Sequence, residues 1–125
     1  MHIVPSSAGF SETLSRVVAA IEQRGLTVFA QIDHAAAARA VDLELADEAV
    51  VVFGNPRAGT PLMQEDPRIG IELPLRMLVW DRGDTAVVGY NDPRELASAY
   101  DVGRSAETLG AMASLLADLA RDAAG

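Results

Sequence analysis

The fold is decided by the stretch Leu75-Arg76-Met77-Leu78-Val79-Trp80-Asp81-Arg82-Gly83-Asp84-Thr85-Ala86-Val87-Val88-Gly89-Tyr90. Its two halves, Leu75–Asp81 and Thr85–Tyr90, are rich in β-branched, aromatic and other apolar residues, as strands are. Between them lie Arg82-Gly83-Asp84, and a connection of three residues that includes glycine is typical of a β-hairpin. Because hairpin strands run antiparallel, the sequence predicts a sheet with antiparallel pairing.

Two amphipathic helices are predicted, one on each side of this hairpin in the sequence. We expect the first helix to be capped by Ser11 and to end at Gly25. Its apolar residues at helical spacing are Leu14, Val17, Val18 and Ile21. The second helix begins at Ser105 and carries one apolar stripe, made of Leu109, Met112, Leu116 and Leu119.

Three further strands are predicted at His2–Val4, Leu26–Asp33 and Glu48–Phe53. The alternation of the second should place one set of residues on a single face, namely Leu26, Val28, Ala30 and Ile32. The third contains Val50-Val51-Val52, which is typical of a strand that is buried on both faces near the middle of a sheet. These elements predict one α+β domain over residues 1–125, a two-layer α/β sandwich whose mainly antiparallel sheet has helices packed on one face.

Short helices are predicted where capping residues precede good helix formers or proline. Asp33 should cap an alanine-rich helix at 34–40, and Gly54–Pro61 should form a loop or a loop that enters a short helix. Asp66-Pro67 opens a brief helix. Asp92 and Glu95 have the spacing of a capping box, which predicts a helix that reaches about Tyr100.

Charge and composition exclude several classes of function. The net charge is −8, and the ten basic residues are all arginine and form no cluster. Because nucleic acids and anionic membranes are bound through basic patches, neither is an expected partner. The absence of cysteine excludes thiol chemistry and cysteine metal sites, and we expect a cytoplasmic protein since the first residues do not resemble a secretion signal.

Five strings in this order resemble the domain-of-unknown-function family 302. They are Phe10-Ser11-Glu12-Thr13, Ile32-Asp33-His34-Ala35-Ala36, Phe53-Gly54-Asn55-Pro56, Leu73-Pro74-Leu75 with Val79-Trp80-Asp81, and Tyr90-Asn91-Asp92-Pro93. The resemblance runs from about Phe10 to Leu119. It implies a two-layer α/β domain with an antiparallel-rich sheet and a homodimer, and it implies no settled activity. Members often carry a glycine and then an arginine between positions 40 and 47, which this chain lacks.

Asp33 and His34 lie where a strand is expected to end and a helix to begin. His34 is a candidate general base with Asp33 orienting it, because imidazole titrates near neutral pH. In the alternative reading, Asp33 only caps the helix and His34 bonds to a nearby carbonyl.

Asn55 and Pro56 are candidate ligand-binding residues, since loops held by strands often carry binding groups. Turn formation alone would also explain them. Met63 and Trp80, with Phe29, are candidates for the wall of an apolar pocket near these loops, although such residues usually pack in a core.

No metal site is expected, because His2 and His34 are the only histidines and the acids show no ligand spacing. No cofactor can be named, since nucleotide-binding motifs are absent. The leading interpretation is a small-molecule-binding or regulatory homodimer with a pocket near Asp33, His34, Asn55 and Pro56. The alternatives are a hydrolase or isomerase that uses His34 as its base, and a structural module for protein interaction.

Overall fold

A five-stranded antiparallel sheet forms the centre of the protein in the computed structural model, which describes residues 1–125. The strands in chain order are β1 (His2–Pro5), β2 (Thr27–Asp33), β3 (Glu48–Gly54), β4 (Leu75–Asp81) and β5 (Ala86–Tyr90). Across the sheet their order is β1-β5-β4-β3-β2. Every neighbouring pair is antiparallel, which confirms the predicted α+β fold.

Four α-helices and three 3₁₀ helices lie between the strands or after the last one. The α-helices are α1 (Phe10–Gln23), α2 (His34–Arg39), α3 (Pro56–Glu65) and α4 (Ala106–Ala124). The 3₁₀ helices are Pro67–Ile71, Pro93–Ser98 and Gly103–Ser105. Gly25 follows α1 with a φ of 72°, as predicted for the residue that ends this helix.

The β4–β5 hairpin is confirmed, and it defines the middle of the sheet. Asp81 pairs with Ala86, so four residues lie in the loop rather than the three predicted. The backbone N–H of Arg82 donates to the carbonyl of Thr85 at 2.9 Å. Gly83 has a φ of 110°, a conformation that other residues rarely adopt, which explains the glycine in this turn.

The main core lies between one face of the sheet and the helices α1 and α4, and we call this covered side the inner face. Its buried strand residues are Val51, Phe53, Met77, Val79, Ala86, Val88 and Tyr90. From the helices come Val17, Ala20, Ile21, Leu116, Leu119, Ala120 and Ala123. These residues confirm the apolar stripes predicted for both long helices.

A second, smaller core lies beside the first and joins α3 to the first half of α4. It consists of Leu62, Ile69, Val102, Leu109 and Met112. The segment that follows α3 therefore packs against the segment that precedes α4, although about 40 residues separate them in the chain. This arrangement fixes the position of α3 next to the end of the sheet.

The prediction that the apolar residues of β2 share one face is wrong, because a β-bulge interrupts the strand at Phe29. Val28 pairs with Phe53 on the inner face, whereas Ala30 pairs with Val52 on the opposite face. An extra residue in one strand shifts its alternation by one position. Ile32 therefore faces the same side as Ala30 and the opposite side from Val28.

Other details of the prediction also need correction. The strand β3 is paired on both edges but β4 is the central strand, and Val50 and Val52 are only half-buried. Ser11 does not cap α1, which begins at Phe10 after Gly9 without a side-chain cap. The segment after Asp92 is a 3₁₀ helix that ends at Ser98.

Candidate functional site

An apolar cavity of about 190 Å³ lies where the end of β3 and the start of β4 meet the helices α3 and α4. Its walls include Phe29, Pro56, Met63, Leu73, Met112 and Leu115. Phe29 is 51% exposed and Met63 is 37% exposed, so the cavity reaches the surface at these two side chains. A ligand of apolar character could enter there without opening the main core.

Asn55 borders this cavity and organises the first turn of α3. Its side-chain Oδ1 accepts a hydrogen bond from the backbone N–H of Arg57 at 3.0 Å. Its backbone carbonyl accepts from Ala58 at 2.9 Å and from Gly59 at 3.1 Å. Because Pro56 has no N–H and the next three are occupied, the helix terminus offers no backbone donor to an anion. The cavity is therefore suited to an uncharged apolar group.

Asp33 and His34 do not share this cavity with Asn55, which corrects the predicted common pocket. Strands β2 and β3 are antiparallel, and Asp33 pairs with Ala49 whereas Thr27 pairs with Gly54. The six residue steps from Thr27 to Asp33 correspond to about 20 Å along the strand. The end of β2 and the end of β3 therefore lie at opposite ends of the sheet.

The carboxylate of Asp33 has a structural partner of its own. Its Oδ1 accepts from the backbone N–H of Ala36 at 2.8 Å and caps α2, as one of the two readings of the sequence predicted. The next residue, His34, is exposed and does not line the apolar cavity.

Trp80 lies away from the cavity, on the side of the sheet opposite to α1 and α4, which we call the outer face. It pairs with Glu48 on one side and with Val87 on the other. A Cβ placed on Gly89 would be 2.9 Å from its Cζ3 atom, so the indole ring lies directly over this glycine. Of the four predicted ligand-binding residues, Asn55, Pro56 and Met63 line the cavity and Trp80 does not.

Several cavity residues were missed by reasoning from the sequence. Leu73 and Pro74, which are joined by a cis peptide bond, and Leu75, which was predicted only as the start of a strand, were not predicted to line a pocket. Met112 and Leu115 come from α4, more than 50 positions beyond Asn55. No local pattern distinguishes them from ordinary core positions of an amphipathic helix, because the contact depends on how α4 crosses the sheet.

Asp66-Pro67-Arg68 and Asp92-Pro93-Arg94 adopt the same local structure. Each aspartate accepts from the backbone N–H of the arginine two residues on, at 3.1 Å and 2.9 Å. Each also forms an ion pair with that guanidinium, at 2.7 Å and 2.6 Å. The hydrogen bonds from Arg68 and Arg94 hold the pKa of both carboxyl groups below the ordinary range. Since local partners explain these shifts, they do not indicate catalytic carboxylates.

A second cavity, of about 200 Å³ and more polar, lies at the same end of the sheet beside the 3₁₀ helix Pro93–Ser98. Its polar residues are Glu72, Arg76, Asn91, Asp92 and Glu95. Nearby, burial and a hydrogen bond to Glu72 raise the pKa of Tyr100. No group of three histidine or acidic side chains is close enough to hold a metal ion.

The fold and this cavity define a small two-layer α+β domain with an apolar cleft at one end of its sheet. The chain belongs to the family described as domain of unknown function DUF302, whose model matches residues 2–119. A solved structure, an uncharacterised conserved DUF302 protein from Bacillus stearothermophilus, has the same fold with a TM-score of 0.88 at 20% identity. The similarity covers 98% of this chain and 96% of that one.

The curated relatives are longer proteins. The chain is 39% identical over 105 residues to fluoride-specific ion channel FluC 1 of Brucella suis, which covers 83% of this chain and 41% of the relative. The same identity is found with fluoride-specific ion channel FluC 2 of Brucella melitensis, of which 39% is covered. The chain thus spans about two fifths of the length of these relatives. None of its own helices combines the length and apolar composition needed to cross a membrane.

Proposed function

We propose that this chain is a regulatory domain that binds a small uncharged apolar molecule in the cavity between β3, β4, α3 and α4, and that it works as a cytoplasmic homodimer. The observation that carries the proposal is the composition of the cavity, whose walls are apolar and whose nearest backbone donors are already occupied. An apolar cavity of about 150 Å³ is enough to bind benzene. The cavity here is of a size for a single ring or a small bicyclic molecule.

The expected affinity is modest and sets the conditions for testing it. Burying roughly 150–200 Å² of apolar ligand surface contributes about 4–5 kcal/mol. That free energy corresponds to a dissociation constant of about 1 mM or slightly below. A natural ligand would add polar contacts at the rim, where the exposed Asn55 and Thr60 lie.

The Brucella relatives support a regulatory role. A channel must cross the membrane, and no helix of this chain could do so. The part of those relatives that conducts ions would therefore lie outside the portion that resembles this chain. Joining two modules in one chain raises their effective concentration, which is the arrangement expected when one controls the other. By analogy, the ligand of this domain would control transport by a membrane partner.

Fluoride itself is a poor candidate for the ligand. A strongly hydrated anion needs hydrogen-bond donors to replace water, and the amides at the start of α3 are already used. The use of His34 as a general base, in a hydrolase or isomerase, stays a prediction. It draws less support, because Asp33 is engaged as a helix cap and His34 is far from the apolar cavity.

The proposal is tested by calorimetric unfolding with indole, phenol or benzyl alcohol at 10 mM. At ten times the dissociation constant a ligand stabilises the folded state by about 1.4 kcal/mol. For a domain of this size, that corresponds to a rise in Tm of roughly 3–7 °C. We expect at least one of these compounds to produce such a rise.

Ala58→Leu should abolish the rise, because Ala58 lines the cavity and a larger side chain there occupies its space. Ala37→Leu is the matched control, since Ala37 is an exposed position on α2 outside the cavity. An equal rise in Tm in the Ala58→Leu protein would reject this binding site. No rise with any of the three compounds in the unmodified protein would reject the ligand class.

A further inference from the structure

The outer face of the sheet carries an apolar row on the side that faces away from α1 and α4. Five residues, one from each strand, are neighbours across the sheet in the order Ile3, Gly89, Leu78, Val50 and Ile32. Ile3 is 48% exposed and Ile32 is 45% exposed, although both lie within strands. Between these two edge residues, Gly89 is covered by the side chains of Met1 and Trp80, and Leu78 and Val50 are half-buried. Because Met1 and Trp80 are themselves apolar, they continue the apolar surface across the middle of the face, and a contiguous apolar patch indicates an interaction surface.

We propose that two copies of this chain pair through their outer faces, about a two-fold axis that lies between the sheets and runs perpendicular to the strands. The inference rests on the proposed homodimer and deepens it by assigning the interface. It is independent of the apolar cavity, which lies among α3, α4 and the end of the sheet.

The charges on this face are arranged for such a pairing. Apart from the apolar residues, the strands place Arg76 at one end of the face and Glu48 at the other. Arg76 pairs with Val52, and Glu48 pairs with Trp80, which fixes both on the outer side. Four residue steps along β4, or about 13 Å, separate the two positions. Neither side chain forms an ion pair within the protomer. Arg76 also borders the second cavity, whose acidic residues Glu72, Asp92 and Glu95 are its nearest alternative partners.

A two-fold axis along the apolar row brings these ends together. It exchanges the two ends of the face, so that Arg76 of one copy lies opposite the adjacent pair Trp80 and Glu48 of the other. A guanidinium can bind a carboxylate and also stack on an indole ring. The same contacts occur twice in an isologous interface. An axis parallel to the strands and along the central strand β4 would instead place Arg76 opposite Arg76 of the other copy, where two like charges repel.

The composition of the face favours a second copy over a charged partner. The chain has a net charge of −8, yet Glu48 is the one acidic side chain among the paired outer positions. Two copies can therefore meet here without bringing their acidic surfaces together. Five strands spaced about 4.8 Å apart give a footprint of roughly 20 Å by 20 Å. This footprint corresponds to about 400 Å² per copy, or roughly 800 Å² in total, which is below the size of stable specific interfaces, so we expect a weak dimer with a dissociation constant in the micromolar range.

The test is sedimentation equilibrium of the full chain between 1 and 500 µM, approximate limits chosen around the affinity expected for a small interface. We expect the unmodified protein to dimerise, and the single variants Arg76→Glu and Glu48→Arg each to weaken dimerisation at least tenfold. A mixture of the two variants should form a heterodimer as strong as the original, because each altered charge then meets an opposite one. Circular dichroism checks that both variants are folded.

Ile71→Lys is the control, since Ile71 is 81% exposed on the 3₁₀ helix Pro67–Ile71 and lies outside the sheet. Its dimerisation should equal that of the unmodified protein. Dimers that persist in both charge variants, or a mixture that fails to pair, would overturn this interface and leave the homodimer standing. A monomer at every concentration would overturn the interface and the homodimer, while thermal stabilisation by the apolar compounds would still test the cavity separately.

Discussion

The carboxylate of Asp66 accepts a hydrogen bond from the backbone N–H of Asp101, at 2.9 Å and across 35 positions of the chain. The same carboxylate binds Arg68 through its backbone N–H and its guanidinium. Its side chain is only 6% exposed. Asp66 therefore links the segment after α3 to the segment before α4, beside the smaller core and the apolar cavity.

Asp66→Asn should lower the Tm by several degrees at pH 7, since it removes the charge that Arg68 and the Asp101 amide stabilise. The lowered pKa of Asp66 means that the unfolded chain binds this proton more tightly than the folded one. Its stabilising contribution is therefore present at neutral pH and is lost as the pH falls below about 4, the ordinary aspartate range.

Thermal unfolding between pH 7 and pH 2 measures this effect. The slope contributed by Asp66 should be missing in the Asp66→Asn protein. Asp92→Asn is the matched control, because Asp92 has the same Asp-Pro-Arg structure without the long-range backbone contact. If both variants lost the same stability, the link to Asp101 would contribute nothing.

Gly89→Ala should destabilise the protein because its Cβ would lie 2.8 Å from the Sδ of Met1 and 2.9 Å from the Cζ3 of Trp80. Forcing side chains out of a close-packed arrangement typically lowers the free energy of unfolding by about 1–3 kcal/mol. Urea unfolding gives the free energy, and the emission of Trp80, the single tryptophan, reports the displacement of its ring.

We expect Gly110→Ala to have the opposite effect on stability. Nothing lies within 4 Å of a Cβ at this position inside α4, so the change should stabilise by about 0.5–1 kcal/mol. Equal effects of the two alanines would show that the crowding at Gly89 is unimportant.

Leu62→Ala should cost about 2–5 kcal/mol, because Leu62 is fully buried in the smaller core. The neighbouring Met63→Ala should cost less than about 1 kcal/mol, since Met63 is 37% exposed at the mouth of the cavity. Urea denaturation distinguishes the two. A similar loss in both proteins would mean that α3 is not anchored by the side that faces the smaller core.

Asp33→Ala should reduce stability by about 1 kcal/mol through loss of the α2 cap. It should leave the Tm rise produced by the apolar compounds unchanged, because Asp33 lies at the far end of β2 from the cavity. His34→Ala should leave that rise unchanged as well. Calorimetry of each variant with and without the compounds is the measurement, and a lost rise in either variant would contradict the separation of the two places.

Local signals predicted much of this fold. The hairpin, the two long helices and the capping role of Asp33 follow from turn residues, periodicity and capping chemistry, which act over a few residues. The bulge at Phe29 was not predicted, because nothing in a regular alternating run shows where an extra residue is accommodated. The loop after Asp81 has one residue more than predicted, because Thr85 is β-branched, as strand residues often are, yet lies in the loop.

The candidate site depended on long-range geometry, where the sequence is less informative. Asp33 ends one strand and Asn55 directly follows another, and this similarity suggested a common pocket. In an antiparallel pair, however, the last residues of the two strands lie at opposite ends of the sheet along the strand direction. The wall supplied by Met112 and Leu115 depends on the crossing of α4, which tertiary packing determines.

The bulge at Phe29 also bears on aggregation. β2 is an edge strand, and a long regular edge is a template on which strands from other molecules can add. With its ladder broken after Val28, β2 offers an incoming strand only short stretches of regular backbone. A chain lacking this one residue would gain a continuous edge, and we expect it to add strands from other molecules, and so to form fibrils, more readily than the present chain.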